Sequence, residues 1–321
     1  MGTLTRRDFL KIAGALAGAA GLSSPGAQVF AKGLENIYGG KTRILWLEGM
    51  SCTGCSVSLL NSENPKPLEL LTQYISLVFH GAVGAAQGQT AVETIERALA
   101  AGDCIPVIEG AIPLGMPRAQ LFHGKPFAET LLPVLEKAPF VVAAGTCSSF
   151  GGVCSAEGNP TGAVSVKQFM EHHGLPTHKR LICCPSCPTH PASLIGTLAH
   201  LSTVGYPEVD RELLTPVMFY GTSTHDNCPR FHDYNKHIFA QELGDQKGCL
   251  FELGCLGPLT YTKCPERQWN GGVNWCVRAS APCVGCSSPE FAQRRDFPFY
   301  RNREGLQFAG KGGSGHGGDE S

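Results

Sequence analysis

Fifteen cysteines in 321 residues are the feature that most restricts how this chain can fold. A chain of this length buries a sizeable core, so it does not need the disulfide framework that holds small secreted domains together. The cysteines also stand in short spacings, beginning with Cys52-Thr53-Gly54-Cys55. Closely spaced thiols in a large chain indicate a metal or redox site rather than a set of cross-links.

An export signal occupies the start of the chain. Arg6 and Arg7 stand before a short Gly/Ala-rich apolar stretch, residues 12–22, which is typical of a twin-arginine signal peptide. Val29-Phe30-Ala31 offers small residues for cleavage, so residues 1–31 are predicted to be removed on export to the periplasm. An ordinary N-terminal helix is the alternative. Twin-arginine substrates fold before export, in a reducing compartment, which favours metal ligation over disulfides.

Charge and hydropathy exclude two classes of partner. Lys and Arg number 26 and Asp and Glu number 27, which leaves a net charge of −1 and no basic field for nucleic acid. After the leader, no apolar run approaches the length of about 20 residues that spans a bilayer, so no membrane anchor is expected. Residues 301–321 are rich in glycine and are predicted to form a flexible tail.

Residues 42–204 alternate short apolar runs with amphipathic stretches. The apolar runs are 43–47, 75–79, 105–108, 140–144 and 180–183, and the helical patterns between them include 92–99, 129–136 and 166–171. Such an alternation is typical of βαβ units around a buried parallel sheet. We therefore expect an α/β fold, a flavodoxin-like doubly wound parallel sheet.

Cysteines follow three of the predicted strands. Cys52 and Cys55 come after the first strand, Cys147 after the fourth and Cys187 after the fifth. Ligands of open α/β sheets bind beyond the carboxyl ends of the strands. The three loops are therefore expected to converge on one site.

After residue 205 the pattern changes to short runs with many Gly, Pro and Asn residues. Residues 205–300 are predicted to form a small irregular domain, which cofactors would stabilise. The spacings there are irregular, and Cys283-Val284-Gly285-Cys286 is the one tight pair, whereas zinc sites commonly use two such pairs. The motif Cys52-Thr53-Gly54-Cys55 alone fits a zinc site, a redox dithiol or an iron–sulfur ligand pair. The full set favours iron–sulfur, with zinc or disulfides as the alternative.

Seven segments carry a resemblance to a known family, and they keep their order along the chain. They are residues 46–61, 107–113, 145–152, 187–191, 225–229, 254–258 and 282–286. From about residue 42 to residue 300, the sequence resembles the small subunit of nickel–iron hydrogenases.

The resemblance implies three clusters and a partner. It implies a proximal 4Fe–4S cluster on Cys52, Cys55, Cys147 and Cys187, a distal 4Fe–4S cluster on His225, Cys228, Cys249 and Cys255, and a medial cluster on Cys264, Cys283 and Cys286. The chain would carry electrons between a nickel–iron centre in the large subunit, where H2 is oxidised or evolved, and an external carrier. A periplasmic multihaem cytochrome c is the expected carrier.

Two positions depart from common family patterns. Cys276 stands where many relatives have Pro, so the medial cluster is expected to have a fourth thiolate and to be 4Fe–4S rather than 3Fe–4S. This resembles the nickel–iron–selenium branch; the alternative is that Cys276 is a buried small residue. Gly54 and Gly152 stand where the oxygen-tolerant branch adds cysteines, which predicts an ordinary four-cysteine proximal cluster. Cys154 lies close by in the sequence and leaves the six-cysteine type as the alternative.

Four cysteines remain, Cys104, Cys154, Cys183 and Cys184, and they are expected to be buried small apolar residues. A disulfide among them is the alternative. Glu48 and Glu109 end predicted strands near the proximal site and are expected to act as hydrogen-bonding groups. The rival function is an exported, zinc- or disulfide-stabilised flavodoxin-like binding module without redox turnover.

Overall fold

The computed structural model describes residues 42–102 and 104–293. The predicted signal peptide, residues 1–31, and the predicted tail, residues 301–321, lie outside the described residues. So do residues 294–300 at the end of the expected second domain.

A five-stranded parallel sheet organises the first part of the chain. Its strands are β1 (Thr42–Glu48), β2 (Ile75–Phe79), β3 (Cys104–Glu109), β4 (Val141–Ala144) and β5 (Leu181–Cys184). They lie in the order β2-β1-β3-β4-β5, which is the flavodoxin-like order. The predicted fold class is confirmed, and each predicted run coincides with a strand to within two residues.

Nine helices accompany the sheet in the described residues. They are α1 (Gly54–Leu60), α2 (Gly88–Ala101), α3 (Phe127–Lys137), α4 (Thr146–Phe150), α5 (Val166–His172), α6 (Pro191–Thr203), α7 (Val217–Tyr220), α8 (Phe231–Asn235) and α9 (Cys264–Arg267). One further helical turn, Pro67–Glu69, runs into a π-helical turn, Leu70–Tyr74. Short 3₁₀ turns cover Pro117–Ala119, Gly152–Ser155, Phe251–Leu253 and Gly257–Leu259, and two-residue strands pair Ile112–Pro113 with Ala163–Val164 and Leu121–Phe122 with Lys125–Pro126.

Apolar side chains cover both faces of the sheet because its strands are apolar at successive positions. In β1, Ile44 and Trp46 join one core, and Leu45 and Leu47 join the other. Successive residues of a strand point to opposite faces, which accounts for this division. The sheet is thereby held by apolar burial on two sides.

The chain after α6 first packs on the sheet and then becomes irregular. The backbone N–H of Cys183 donates to Leu214 O at 2.9 Å, and Phe219 fits against Gly196, where an added Cβ would lie 2.5 Å from its ring. From residue 221 onward the described elements are one-turn helices and 3₁₀ turns. None of the helices in residues 42–102 and 104–293 has the length and apolar character needed to cross a membrane.

Candidate metal centres

The first group of cysteines lies at the carboxyl edge of the sheet. Cys55 sits in the first turn of α1, directly after β1, and Cys147 sits in the first turn of α4, directly after β4. Cys52 precedes α1, and Cys187 follows β5. Cys55 is buried, whereas Cys52 and Cys187 are exposed. The structure thus places all four predicted proximal residues at one edge.

Close contacts join these loops. Gly145 has a φ of 88°, and a Cβ added there would collide with Cys55 Sγ. Partial burial is the largest cause that raises the pKa of the Cys187 thiol to about 11, and the neighbouring thiols of Cys147 and Cys52 contribute to the same shift. Burial likewise raises the pKa of Cys55 well above its ordinary value, with a smaller contribution from Cys147 and Cys187. The four sulfurs therefore act on one another electrostatically.

Glu109 holds the loop that carries Cys52 and Cys55. The carboxylate ends β3, is 2% exposed, and accepts hydrogen bonds from the backbone N–H groups of Cys55 (3.0 Å) and Ser56 (3.1 Å). Ser51 Oγ (2.8 Å), Ser56 Oγ (2.5 Å) and Trp46 Nε1 (3.2 Å) also donate to it. Negative charge is favourable at the N-terminus of a helix, so the carboxylate stabilises the start of α1. The expected hydrogen-bonding role of Glu109 is what the structure shows.

The second group, His225, Cys228, Cys249 and Cys255, lies in the irregular region. The His225 ring packs edge-on against Phe231 and Tyr234, with ring centroids 5.0 and 4.5 Å apart. Burial raises the pKa of Cys228, and the thiols of Cys255 and Cys249 add to the shift. His225 N–H donates to Gly257 O at 3.2 Å, two residues after Cys255. The predicted distal residues thus lie close to one another.

The third group, Cys264, Cys276, Cys283 and Cys286, lies between the other two. The Cys283 backbone N–H donates to Cys255 Sγ of the second group at 3.3 Å. Thr146, next to Cys147 of the first group, joins the two groups, because its hydroxyl donates to Cys286 O and accepts from the Ser186 N–H at 2.9 Å. Cys276 is close enough to Cys264 that the Cys264 thiol contributes, after burial, to raising the Cys276 pKa. The three groups therefore form a continuous series through the chain.

The donor sets fit iron–sulfur clusters. Each group offers four thiols, or three thiols and an imidazole, and backbone N–H groups point at sulfur, as from Thr189 to Cys55 Sγ at 3.5 Å. Such N–H···S bonds stabilise thiolates that ligate a cluster. Among the described residues, no three His, Cys, Asp or Glu side chains lie close enough together to hold a single metal ion.

The four remaining cysteines divide into two kinds. Cys104, Cys183 and Cys184 are buried in the sheet cores, as expected. Cys154 instead is partly buried beside the first group, with its Sγ 3.2 Å from Met50 O, and its position after Cys147 in the sequence had indicated this placement. All fifteen cysteines lie in the described residues, and none of them forms a disulfide there.

Comparison with family models gives three matches. The twin-arginine translocation pathway signal sequence matches residues 3–23. The 20 kDa subunit of NADH ubiquinone oxidoreductase matches residues 52–201, and the C-terminal part of the NiFe/NiFeSe hydrogenase small subunit matches residues 220–300. The last two matches together cover the sheet and the cysteine-rich region.

Similar proteins cover nearly the whole chain. The periplasmic [NiFeSe] hydrogenase small subunit of Desulfomicrobium baculatum is 36% identical over 93% of this chain and 99% of its own length. The periplasmic [NiFe] hydrogenase small subunit 1 of Nitratidesulfovibrio vulgaris is 37% identical over 93% of this chain and 94% of its own. The crystal structure of the reduced, active Ni-Fe-Se hydrogenase of Desulfomicrobium baculatum matches with a TM-score of 0.74 and 38% identity, over 81% of this chain and 98% of that one.

The fold and the cysteine groups define an iron–sulfur type of redox protein, in which a flavodoxin-like sheet presents cysteines to a second, irregular cysteine-rich region. The particular family follows from the comparisons. The chain belongs to the small-subunit family of NiFe and NiFeSe hydrogenases. The resemblance predicted from the motifs is therefore confirmed, and so is the twin-arginine signal for export to the periplasm.

Proposed function

We propose that this chain is the electron-transfer subunit of a periplasmic hydrogenase heterodimer. Hydrogen would be oxidised or evolved at a nickel–iron centre in the large subunit, and this chain would carry the electrons between that centre and an external carrier. The relatives bear the names of hydrogenase small subunits, which supports the assignment. The continuous series of three cysteine groups is the observation that carries it.

Three clusters are assigned to the three groups. Cys52, Cys55, Cys147 and Cys187 would hold the proximal 4Fe–4S cluster, His225, Cys228, Cys249 and Cys255 the distal 4Fe–4S cluster, and Cys264, Cys276, Cys283 and Cys286 the medial cluster. When bound, such clusters accept and donate one electron at a time. The hydrogen bonds from Thr146 to Cys286 O and from the Cys283 N–H to Cys255 Sγ support the order proximal, medial, distal.

The residues of this chain perform the positioning. Thr146 connects the proximal and medial loops, because its hydroxyl donates to Cys286 O and accepts from the Ser186 N–H at 2.9 Å. Arg230 fixes the distal loops by donating to Gly248 O and Asp245 O, both at 2.9 Å, and to Ser280 Oγ at 2.9 Å. Hydrogen bonds from Thr146 and Arg230 thus fix the positions of the ligand-bearing loops.

The two ends of the series suit different partners. At the proximal end, Cys52 and Cys187 are exposed and Val57 is 62% exposed, so this edge offers thiols and apolar surface to the large subunit. At the distal end, His225 and its aromatic neighbours lie partly exposed, with Phe251 42% exposed. We assign this end to a periplasmic multihaem cytochrome c.

The division into domains is also a proposal. Residues 42–204 would form the flavodoxin-like domain with the proximal ligands, and residues 205–300 the domain with the distal and medial ligands. Two separate family models match residues 52–201 and residues 220–300, which supports two units of about these bounds.

Purification of the exported heterodimer tests the function. The large subunit should copurify, and the complex should be brown and contain about twelve small-subunit iron atoms for three cubane clusters. Large-subunit iron is counted separately. A colourless protein that contains zinc, or a small subunit that is stable and monomeric alone, would contradict the proposal.

The medial assignment has a separate test. Cys276→Pro removes the fourth thiolate, so the medial cluster should lose one iron and give a new 3Fe–4S EPR signal after oxidation. Cys104→Ala, which removes a core thiol far from the groups, is the matched control and should give no such signal. If Cys276→Pro gives none either, Cys276 is not a ligand.

A further inference from the structure

Ser186 lies between two of the loops that carry proposed proximal ligands. It directly precedes Cys187 in the loop after β5. Both of its backbone polar groups bond to Thr146, the residue directly before Cys147. The Ser186 N–H donates to Thr146 Oγ1 at 2.9 Å, and Ser186 O accepts from the Thr146 N–H at 3.1 Å. These two hydrogen bonds fix Ser186 beside two proposed ligands.

A third proposed ligand and the medial group lie near the same residue. A Cβ added at Gly145 would collide with Cys55 Sγ and would also lie 3.6 Å from Ser186 O. The Thr146 hydroxyl, which accepts from the Ser186 N–H, donates to Cys286 O. Ser186 therefore adjoins three proposed proximal ligands directly, whereas it is linked to the medial group only through Thr146.

The side chain of Ser186 is buried without a partner. The residue is 1% exposed, and its hydroxyl makes no hydrogen bond to any of the residues that the structure describes. Native structures pair nearly all buried hydroxyls, because an unpaired one loses its hydrogen bonds to water and gains none in return. The backbone φ of Ser186 is 109°, a conformation that strains residues other than glycine. Serine is thus unfavourable here twice over, unless its hydroxyl bonds to a group that the chain itself does not supply.

We propose that the Ser186 hydroxyl donates a hydrogen bond to a sulfur atom of the proximal cluster, and thereby raises the reduction potential of that cluster. Cluster sulfurs carry negative charge, which makes them acceptors for such a bond. The reduced cluster carries one more negative charge than the oxidised cluster, so the bond stabilises the reduced state more. Ser186 adjusts the potential and is not a ligand. The inference rests on the proposed function, specifically on Cys55, Cys147 and Cys187 as ligands.

EPR-monitored redox titration of the purified heterodimer tests the inference. Ser186→Ala and Ser186→Gly both remove the donor, and glycine also relieves the strain at the positive φ. Both variants should keep their iron and should shift the proximal potential to a more negative value by similar amounts. At a fixed solution potential, the ratio of reduced to oxidised proximal cluster should therefore fall severalfold.

Ser148→Ala is the matched control. Ser148 directly follows Cys147 and is fully buried, but its hydroxyl donates to Ala144 O at 2.9 Å. Because a backbone carbonyl already accepts from this hydroxyl, its removal should leave the proximal potential unchanged.

Four outcomes would overturn the inference. They are an unchanged proximal potential in both Ser186 variants, a shift in Ser186→Ala but not in Ser186→Gly, an equal shift in Ser148→Ala, and a shift confined to the medial cluster. The proposed ligand set is tested separately by Cys187→Ala. If that variant keeps all of its iron, the proximal assignment itself fails, whatever the Ser186 variants show.

Discussion

The sheet region and the irregular region of this chain are held together in different ways. The sheet has apolar side chains on both faces, and fully buried residues such as Trp46 and Phe127 fill its two cores. In the irregular region, the largest apolar cluster that the described residues form contains only Ala240, Leu250, Trp275 and Val277. Five partly buried side chains pack around it, and three of them are cysteines: Cys228, Leu253, Cys255, Cys264 and Trp269.

Cysteine serves as a buried packing residue in one part of this chain and as a proposed cluster ligand in the other. In the sheet, Cys183 and Cys184 replace apolar side chains on opposite faces of β5, and their sulfurs contribute packing. In the irregular region, three cysteines instead pack around the small apolar cluster. There the cofactors they are proposed to hold would supply the stability that apolar burial supplies in the sheet.

Removal of iron should produce the largest difference in stability between the two regions. After anaerobic chelation, backbone amides in residues 221–293 should exchange hydrogen faster by about 100-fold or more, because a structural metal contributes several kcal/mol. Amides of β1 and β3 should keep their protection. Hydrogen exchange with mass spectrometry measures both in one sample. An equal loss of amide protection in both regions, or no loss in either, would contradict the proposed difference between them.

Gly145→Ala should remove the proximal cluster while the sheet stays folded. The added Cβ would collide with Cys55 Sγ, so roughly a third of the small-subunit iron should be lost. Gly174→Ala is the matched control: Gly174 also has a positive φ, 68°, but an added Cβ meets nothing within 4 Å. It should cost about 1 kcal/mol of stability and no iron. Iron analysis and thermal unfolding distinguish the two, and equal iron in both variants would contradict the geometry.

Glu109→Gln should weaken the junction between the sheet and the first cysteine loop. The amide cannot accept all of the hydrogen bonds that the buried carboxylate accepts, so the free energy of unfolding should fall by roughly 2–4 kcal/mol. Glu48→Gln is the control, because the Glu48 side chain is 20% exposed and has only longer polar contacts, with Ser56 Oγ at 3.3 Å and with His80 Nδ1 at 3.6 Å. Its cost should stay below about 1 kcal/mol. Chemical denaturation measures the free energy of unfolding of both variants. Similar losses in the two would contradict the role of Glu109 in holding the first cysteine loop.

Cys183→Ala should have the smallest effect. The side chain is fully buried and packs among apolar residues, so losing its sulfur should cost about 1 kcal/mol and leave the iron content unchanged. Any loss of iron in this variant would show that the sheet cysteines do not differ in use from the loop cysteines.

Sequence reasoning located the sheet well. Its five apolar runs each became a strand because strands buried on both faces must be apolar at successive positions, and that pattern is visible locally. The strand order follows from a general rule for such folds, and the same rule placed Cys52, Cys147 and Cys187 at one edge. The cluster ligand sets came from the family resemblance and remain predictions.

The remaining features depend on contacts between distant segments. Cys104 and Cys183 lie in the core, whereas Cys154 lies in the 3₁₀ turn after the helix of Cys147, with its Sγ 3.2 Å from Met50 O. That turn closes tightly against Cys147, because a Cβ at Gly152 would lie 3.0 Å from Cys147 atoms. The hydrogen bond from Thr146 to Cys286 O joins segments 140 residues apart and likewise has no local signal.

The sequence by itself determined the strands, the edge of the sheet at which cysteines gather, and the family, because apolar periodicity, strand-end positions and ordered motifs are properties of the linear chain. The tertiary structure decided that the third cysteine group lies between the other two, that Glu109 holds the first loop, and that Cys154 lies against Met50. These depend on which side chains meet after folding, and packing and hydrogen bonding between loops fix that in space.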